Sequence, residues 1–117
     1  MRNILVYVAG PVSAYGADHH DAVRVQTQNV ERGIDVGIEV LEAGFFPFVP
    51  HLTHYFHLRT PRDFGKLYYE WDNVLLRRCD VLLKFAPSRG ADAEEKLARS
   101  LGLPVVYSVE ELTELYQ

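Results

Sequence analysis

"DVLLKFAPSRGADAEEKLARSLGLPVVYS", Asp80 to Ser108, decides how this chain folds. An apolar stretch, "DVLLKFA", runs into a small polar loop, then a helix-forming segment, then a second apolar stretch, "PVVYS". Apolar runs of that kind, closed off by turn residues, read as strands with both faces covered. The middle segment, from about Ala91 to Leu101, sets Leu97, Ala98 and Leu101 on one helical face, behind Ser88 as a possible cap. Strand, helix, strand in so short a span is the unit of a parallel sheet.

The rest of the chain repeats the alternation. "NILVYVAG" reads as the first strand. "AVRVQTQNVERGIDVGIEVLEAG" reads as a helix with Val30, Ile34, Ile38 and Leu41 at helical spacing and Gly44 as its stop. "FFPFVPH" is the second strand, and its two prolines place it at an edge or take it out of the sheet early. The stretch from His51 to Arg62 reads as a loop rich in His, Tyr and Phe, after which Thr60 and Pro61 offer a cap and a first helical residue. The helix through "LYYEWDNVLLRRC" carries Tyr68, Trp71, Val74, Leu75 and Arg78 as its packed stripe. Ser108 and Glu111 match an S-x-x-E capping box at the start of a last helix.

The order β-α-β-α-β-α-β-α predicts an α/β fold over residues 1–117 as one domain. Its form is an open doubly wound, flavodoxin- or Rossmann-like parallel sheet of four or five strands with helices on both faces. In such sheets a ligand sits beyond the carboxyl ends of the strands. "AGPVS", "PHLTH", "APSRG" and the turn after Val106 end there, which nominates Ala9, Gly10 and Pro11 as substrate contacts.

Composition narrows the function classes. Hydrophobic residues are 48% and charged residues 24% of the 117, which excludes a disordered chain. A net charge of −4 argues against a partner that is a nucleic acid polymer, yet leaves room for a locally positive pocket and a small anion. Cys79 is the one cysteine, so no intrachain disulfide and no thiolate zinc cluster can form, and a buried thiol is expected. The apolar run at the N-terminus is too short for a signal-peptide core or a membrane span. A cytoplasmic protein without a membrane partner is expected.

Two adjacent carboxylates, Glu94 and Glu95, stand in the first part of the helix after "PSRG". Glu95 precedes Arg99 by four, a favourable ion-pair spacing in solvent. Glu94 precedes Leu97 by three and Ala98 by four, which turns it inward at the positive end of the helix. Either it serves chemistry at a pocket rim or it caps its own helix. Asp72, on the shoulder of the preceding helix's stripe, is a second inward acid, whereas Asp80 reads as a turn residue. Ser88, Arg89 and Gly90 form a loop that suits an anion, or simply caps the helix. It is not a Walker loop, because no Gly-Lys-Ser/Thr follows.

Histidines and aromatics are less specific. His51 and His54 could pack in the loop or bind a metal, and His51 could contact a base or phosphate, although no carboxylate partner is evident and no metal or other cofactor is expected. Trp71, Tyr55 and Phe56 suit base stacking, core packing or subunit packing. His19 and His20 follow "AGPVSAYG" in a loop placed to close over a ligand.

Taken together, "YVAGPVS", "AGFFPFVPHLTH", "WDNVLLRRCDVLL" and "SRGADAEEKLARSLGLPVVYS" resemble the nucleoside 2-deoxyribosyltransferase-like superfamily, nearest to its small DUF4406-type branch. The likeness covers nearly the whole chain. It implies that Glu94 is the nucleophile, that Asp72 assists near the base or sugar, and that Tyr7 orients the nucleophile. In the transferases an acid six residues before the glutamate binds the free 5′-hydroxyl. Ser88 stands there in this chain, as in the similar nucleoside-monophosphate N-glycosidases, whose loop holds a 5′-phosphate. A hydroxyl, backbone N–H groups and Arg89 attract a phosphate that an aspartate would repel.

The expectation is therefore hydrolysis or transfer at the N-glycosidic bond of a nucleoside 5′-monophosphate, without a cofactor. The alternatives are a nucleotide-binding or structural relative without turnover, and a nucleoside 2-deoxyribosyltransferase. An unrelated receiver-like domain is disfavoured, since "AGPVS" stands where receivers carry clustered acids. The aromatic-rich segment from Tyr55 to Trp71, together with the resemblance, also points to a homodimer or a dimer of dimers.

Overall fold

A computed structural model describes residues 3–12, 19–59 and 65–117. The helix start expected at Thr60 and Pro61 and the loop before His19 lie outside the described residues, as do the side chains of His19 and His20. Four strands, β1 (Leu5–Ala9), β2 (Phe46–Phe48), β3 (Val81–Lys84) and β4 (Val105–Val106), pair in parallel in the order β2-β1-β3-β4. Five helices accompany them: α1 (His19–Glu42), α2 (Thr53–Arg59), α3 (Gly65–Arg78), α4 (Arg89–Ser100) and α5 (Val109–Leu115). This is the open α/β sheet that the alternation predicts, with four strands.

The strand order explains the sequence pattern. β1 and β3 are interior strands, and their residues from Val6 to Ala9 and from Val81 to Leu83 are buried. Alternate side chains feed two cores. Val6, Val8, Val81 and Leu83 pack with Val40 of α1 and Leu112 of α5. Tyr7, Ala9 and Leu82 pack on the other face with Leu76 of α3 and with Ala91 and Ala98 of α4. The proline-bearing β2 lies at an edge, where its missing N–H group is tolerated.

Two helical stripes sit differently from the expectation. In α1 the buried line is Val30, Gly33, Gly37 and Val40, while Ile38 and Leu41 are exposed. The glycines win because the body of the protein comes too close for any side chain. A Cβ on Gly33 would lie 2.7 Å from the His51 ring, and one on Gly37 would lie 2.8 Å from Val49. In α3 the buried residue is Leu76, continued by Cys79 just past the helix end, with Asp72 partly buried on the same line, whereas Trp71, Val74 and Arg78 face outward. The apolar count chose the wrong edge of that helix, because its inner line includes an acid.

A further difference lies in the His51–Arg62 segment, expected as a loop. Residues Pro50–Leu52 form a 3-10 turn that leads directly into α2. Pro50 supplies the fixed φ for the turn, and Thr53 Oγ1 donates to the Pro50 carbonyl at 2.9 Å. Of the expected caps, the two among the described residues are present. Ser88 Oγ accepts from the Ala91 N–H at 3.0 Å, and Ser108 Oγ accepts from the Glu111 N–H at 3.1 Å. The Glu111 carboxylate reaches back one residue further than the usual box, to the Tyr107 N–H.

Candidate active site

Between β1 and β3 the connections leave the sheet in opposite directions, so a crevice opens beyond their carboxyl ends. A cavity of about 720 Å³ occupies it. Gly10 after β1, Pro50 and Thr53 after β2, and Ser88, Arg89 and Gly90 after β3 line it from the strand ends. Asp72 reaches it from α3 and Glu94 from α4. Four short strands thus bring together segments from most of the chain.

Tyr7 does not line the cavity itself but stands behind it, in contact with Glu94. It is fully buried on β1, points to the α3–α4 side, and its hydroxyl donates to Glu94 Oε2. Phe48 packs against the ring at 5.6 Å between centroids. Glu94 lies between Ala91 and Ala98 on the inner line of α4, so the helix turns its carboxylate toward the sheet. Burial raises the Glu94 carboxyl to about 7, the Tyr7 hydrogen bond opposes that rise, and the nearby Asp72 charge reinforces it. The Tyr7 hydroxyl is pushed far above its ordinary value, by burial first and then by Glu94 and Asp72, and stays protonated.

Asp72 is different in one respect. Its Oδ1 is buried and accepts no hydrogen bond, and burial raises its carboxyl to about 7 as well. The Tyr7 hydroxyl, by donating to Glu94, favours the ionised form there, while the Asp72 charge opposes it. Both carboxyls are raised toward neutrality, and both line the same cavity.

Around this pair the structure redistributes the expected contacts. Ser88, Arg89, Gly90 and Gly10 line the cavity, whereas Ala9 and Pro11 are adjacent to it in the chain and do not. Gly10 has a second duty, since a Cβ there would lie 2.1 Å from the tip of the Phe85 ring. His51 is fully buried behind this loop and does not line the cavity. Neither of its ring nitrogens makes a well-formed hydrogen bond. Burial holds the imidazole neutral, its pKa down at about 4, against a weaker opposing pull from the Gly10 and Pro11 backbone. His51 packs on Phe85 at 5.7 Å and fills the space above Gly33, which is the loop-packing alternative among its readings.

His54 and His57 take the place at the cavity wall that His51 lacks. His54 is buried, and its Nε2 stands 3.3 Å from Thr27 Oγ1. Thr27 gives its hydroxyl proton to the Val23 carbonyl at 2.8 Å. Gln26 of α1 and Asn73 of α3 also line the cavity and were not singled out from the sequence. A signal existed for each: Gln26 precedes buried Val30 by four, and Asn73 adjoins Asp72. Among the described residues, no three His, Cys, Asp or Glu side chains gather as metal ligands. Cys79 is buried, and burial raises its thiol to about 11, as suits packing rather than reactivity.

Trp71 stands away from the cavity. It is partly exposed, stacks on Tyr68 at 6.5 Å and meets Phe56 edge-on at 5.2 Å. No helix among the described residues is long and apolar enough to cross a membrane. The chain matches no protein-family model and no curated protein in sequence.

Proposed function

We propose that this protein cleaves the N-glycosidic bond of a nucleoside 5′-monophosphate with Glu94 as nucleophile. One observation carries the reading: Glu94 and Asp72 line one strand-end cavity, both raised toward neutrality by burial, and Tyr7 behind it donates to Glu94. On this reading the Tyr7 bond favours an ionised Glu94 and leaves the proton on Asp72. The likeness of "YVAGPVS", "WDNVLLRRCDVLL" and the Ser88–Ser108 segment to the nucleoside 2-deoxyribosyltransferase-like superfamily supports the same assignment. So does Ser88 at the position where those transferases carry an acid.

The chemistry follows from the two carboxyls. The phosphate sits at Ser88, Arg89 and Gly90, where the start of α4 presents backbone N–H groups. A Glu94 oxygen attacks C1′, and the C1′–N bond breaks with its electron pair leaving on the base. Asp72 gives its proton to that base nitrogen. Positive charge develops on the sugar as the bond opens, beside an anionic Glu94. Water then attacks C1′ of the glycosyl ester, Asp72 takes a water proton, and the sugar phosphate leaves with Glu94 restored. A second base in place of water completes a transfer.

The reading extends to association. Phe56, Leu67, Trp71 and Val74 form an exposed apolar face on α2 and α3, the same helix that sends Tyr69 and Asp72 into the cavity. Such a face supports a homodimer or a dimer of dimers in a cytoplasmic enzyme.

A panel of ribo- and deoxyribonucleoside monophosphates, with released base followed by chromatography, tests the activity. Base release from at least one monophosphate is expected, with the matching nucleoside cleaved more slowly. Binding of monophosphates by calorimetry without base release would reassign the cavity to a non-catalytic nucleotide site. Neither binding nor release would sink both.

A further inference from the structure

We infer that the ion-pair cluster on the outer side of α4, built from Lys84, Asp92, Glu95, Arg99 and Tyr107, is a positioning device that sets the rotation of α4 and so aims Glu94 at Tyr7. The inference rests on the proposed activity only for its kinetic arm.

The line by which α4 meets the sheet carries the small methyl groups of Ala91 and Ala98, and Leu97 adds one larger side chain against the same core. A helix with its side chains is about 10–12 Å across. A turn of roughly 20° about its axis therefore moves a carboxylate near its edge by about 2 Å, enough to break a hydrogen bond. Glu94 would lose Tyr7 before the alanine packing changed much.

The outer edge supplies a second constraint. Lys84, the last residue of β3, puts Nζ 2.7 Å from Asp92 Oδ1 and 2.8 Å from Glu95 Oε1. Glu95 Oε2 accepts from Arg99 Nε at 3.0 Å and from the Tyr107 hydroxyl at 2.8 Å. Tyr107 follows β4 directly, and Arg99 Nη2 lies 2.7 Å from its hydroxyl. Asp92, Glu95 and Arg99 recur at helical spacing along one edge of α4, and each is tied to a strand end or to the next. Exposed ion pairs of this type contribute little by themselves. Here the Lys84 and Glu95 side chains are only 14% and 18% exposed, and Lys84 serves two carboxylates at once.

The reference point is shared. Lys84 pairs in register with Ala9 of β1, and Leu82 pairs with Tyr7. The strand that anchors Glu95 is thus hydrogen-bonded to the strand that receives Glu94. Consecutive residues on a helix point about 100° apart. Holding Glu95 toward Lys84 leaves Glu94 facing the crevice.

The test follows the Glu94 carboxyl carbon by NMR in protein labelled with ¹³C-glutamate, its signal identified by loss in Glu94→Gln. Wild type is expected to titrate near 7. In Lys84→Met the midpoint is expected to fall, because the burial that rotation relieves raises the carboxyl by more than the Tyr7 bond lost with it lowers it. Lys84→Arg is expected to restore the midpoint, and Glu95→Gln to shift it in the same direction by less. The kinetic counterpart is a kcat for base release about ten-fold lower in Lys84→Met, with KM within two-fold. A cluster that only stabilised the fold would lower the melting temperature and leave the Glu94 midpoint in place. That result in folded Lys84→Met, or in Glu95→Gln if the former does not fold, overturns the inference. A shifted midpoint in a protein that releases no base would keep the positioning role and overturn the glycosidase reading alone.

Discussion

Glu94 and Glu95 are neighbours in the chain, and the fold treats them in opposite ways. Glu94 enters the crevice, where burial raises its carboxyl to about 7. Glu95 stays on the outer edge, where hydrogen bonds from Lys84, Tyr107 and Arg99 hold it down at about 2. The same side chain is thus a group able to change its charge near neutrality on one side of α4 and a permanent anion on the other. What separates them is the number of donors. Glu95 meets three donor side chains, whereas Glu94 meets one hydroxyl and an acid of its own sign. Desolvation without enough donors makes a reactive carboxylate; abundant donors make a structural one.

The contrast is broken most severely by Glu94→Gln. Base release should fall roughly 10⁴-fold or more, since no nucleophile remains. Stability should move the other way. A carboxyl whose folded pKa lies above its unfolded value stabilises the fold while protonated and loses that contribution as pH rises from 4.5 through 7. Glutamine cannot ionise, so the variant should be more stable above pH 7 by on the order of 2 kcal/mol, read from melting temperature against pH. Equal pH dependence in both proteins would show that Glu94 is not buried as described.

Asp72→Asn removes the second acid. Catalysis should drop roughly 10²- to 10³-fold for lack of a proton donor to the base. Wild type, which needs one carboxyl ionised and one protonated, should show a bell-shaped profile centred near pH 7. The variant should lose the alkaline limb. Its remaining limb should shift to lower pH, because the Asp72 charge no longer raises Glu94. A bell that survives intact would remove Asp72 from the proton transfer.

Ser88→Asp sharpens the comparison at the helix start. A charged group beside a bound phosphate is strongly unfavourable, so preference should shift from monophosphate toward nucleoside by roughly 10- to 100-fold in kcat/KM. An unchanged ratio would detach the Ser88 turn from the phosphate. The smallest effect is expected from Tyr7→Phe, about ten-fold in kcat. Its diagnostic is the acid limb, which should rise in pH because the Tyr7 hydrogen bond lowers the Glu94 pKa.

Much of the fold was legible because its signals are local. Val81–Leu83 and Val6–Ala9 are continuous apolar runs because both faces of an interior strand are covered, and that pattern survives without knowledge of the neighbours. Ser88 and Ser108 cap their helices through bonds within three residues. The inward phase of Glu94 was readable from Leu97 and Ala98 for the same reason. Legibility failed where a helix face depended on what approached it. Gly33 and Gly37 look like weak points in α1 until His51 and Val49 are brought against them. Trp71 and Val74 look like core until Asp72 and Leu76 are found on the inner line. Gln26 and Asn73 had only positional signals, and the crevice is what brings them to the same cavity as Glu94.

The sequence by itself determined the alternation of strands and helices, the caps at Ser88 and Ser108, and which of two adjacent glutamates turns inward. These depend on spacing and on contacts a few residues long. Tertiary structure alone decided that Tyr7 bonds to Glu94 and that Asp72 is left without a donor. It also buried His51 behind the loop that ends β1 and left His54 at the cavity. Those outcomes depend on desolvation and on donors supplied from distant parts of the chain, which no short stretch of residues encodes.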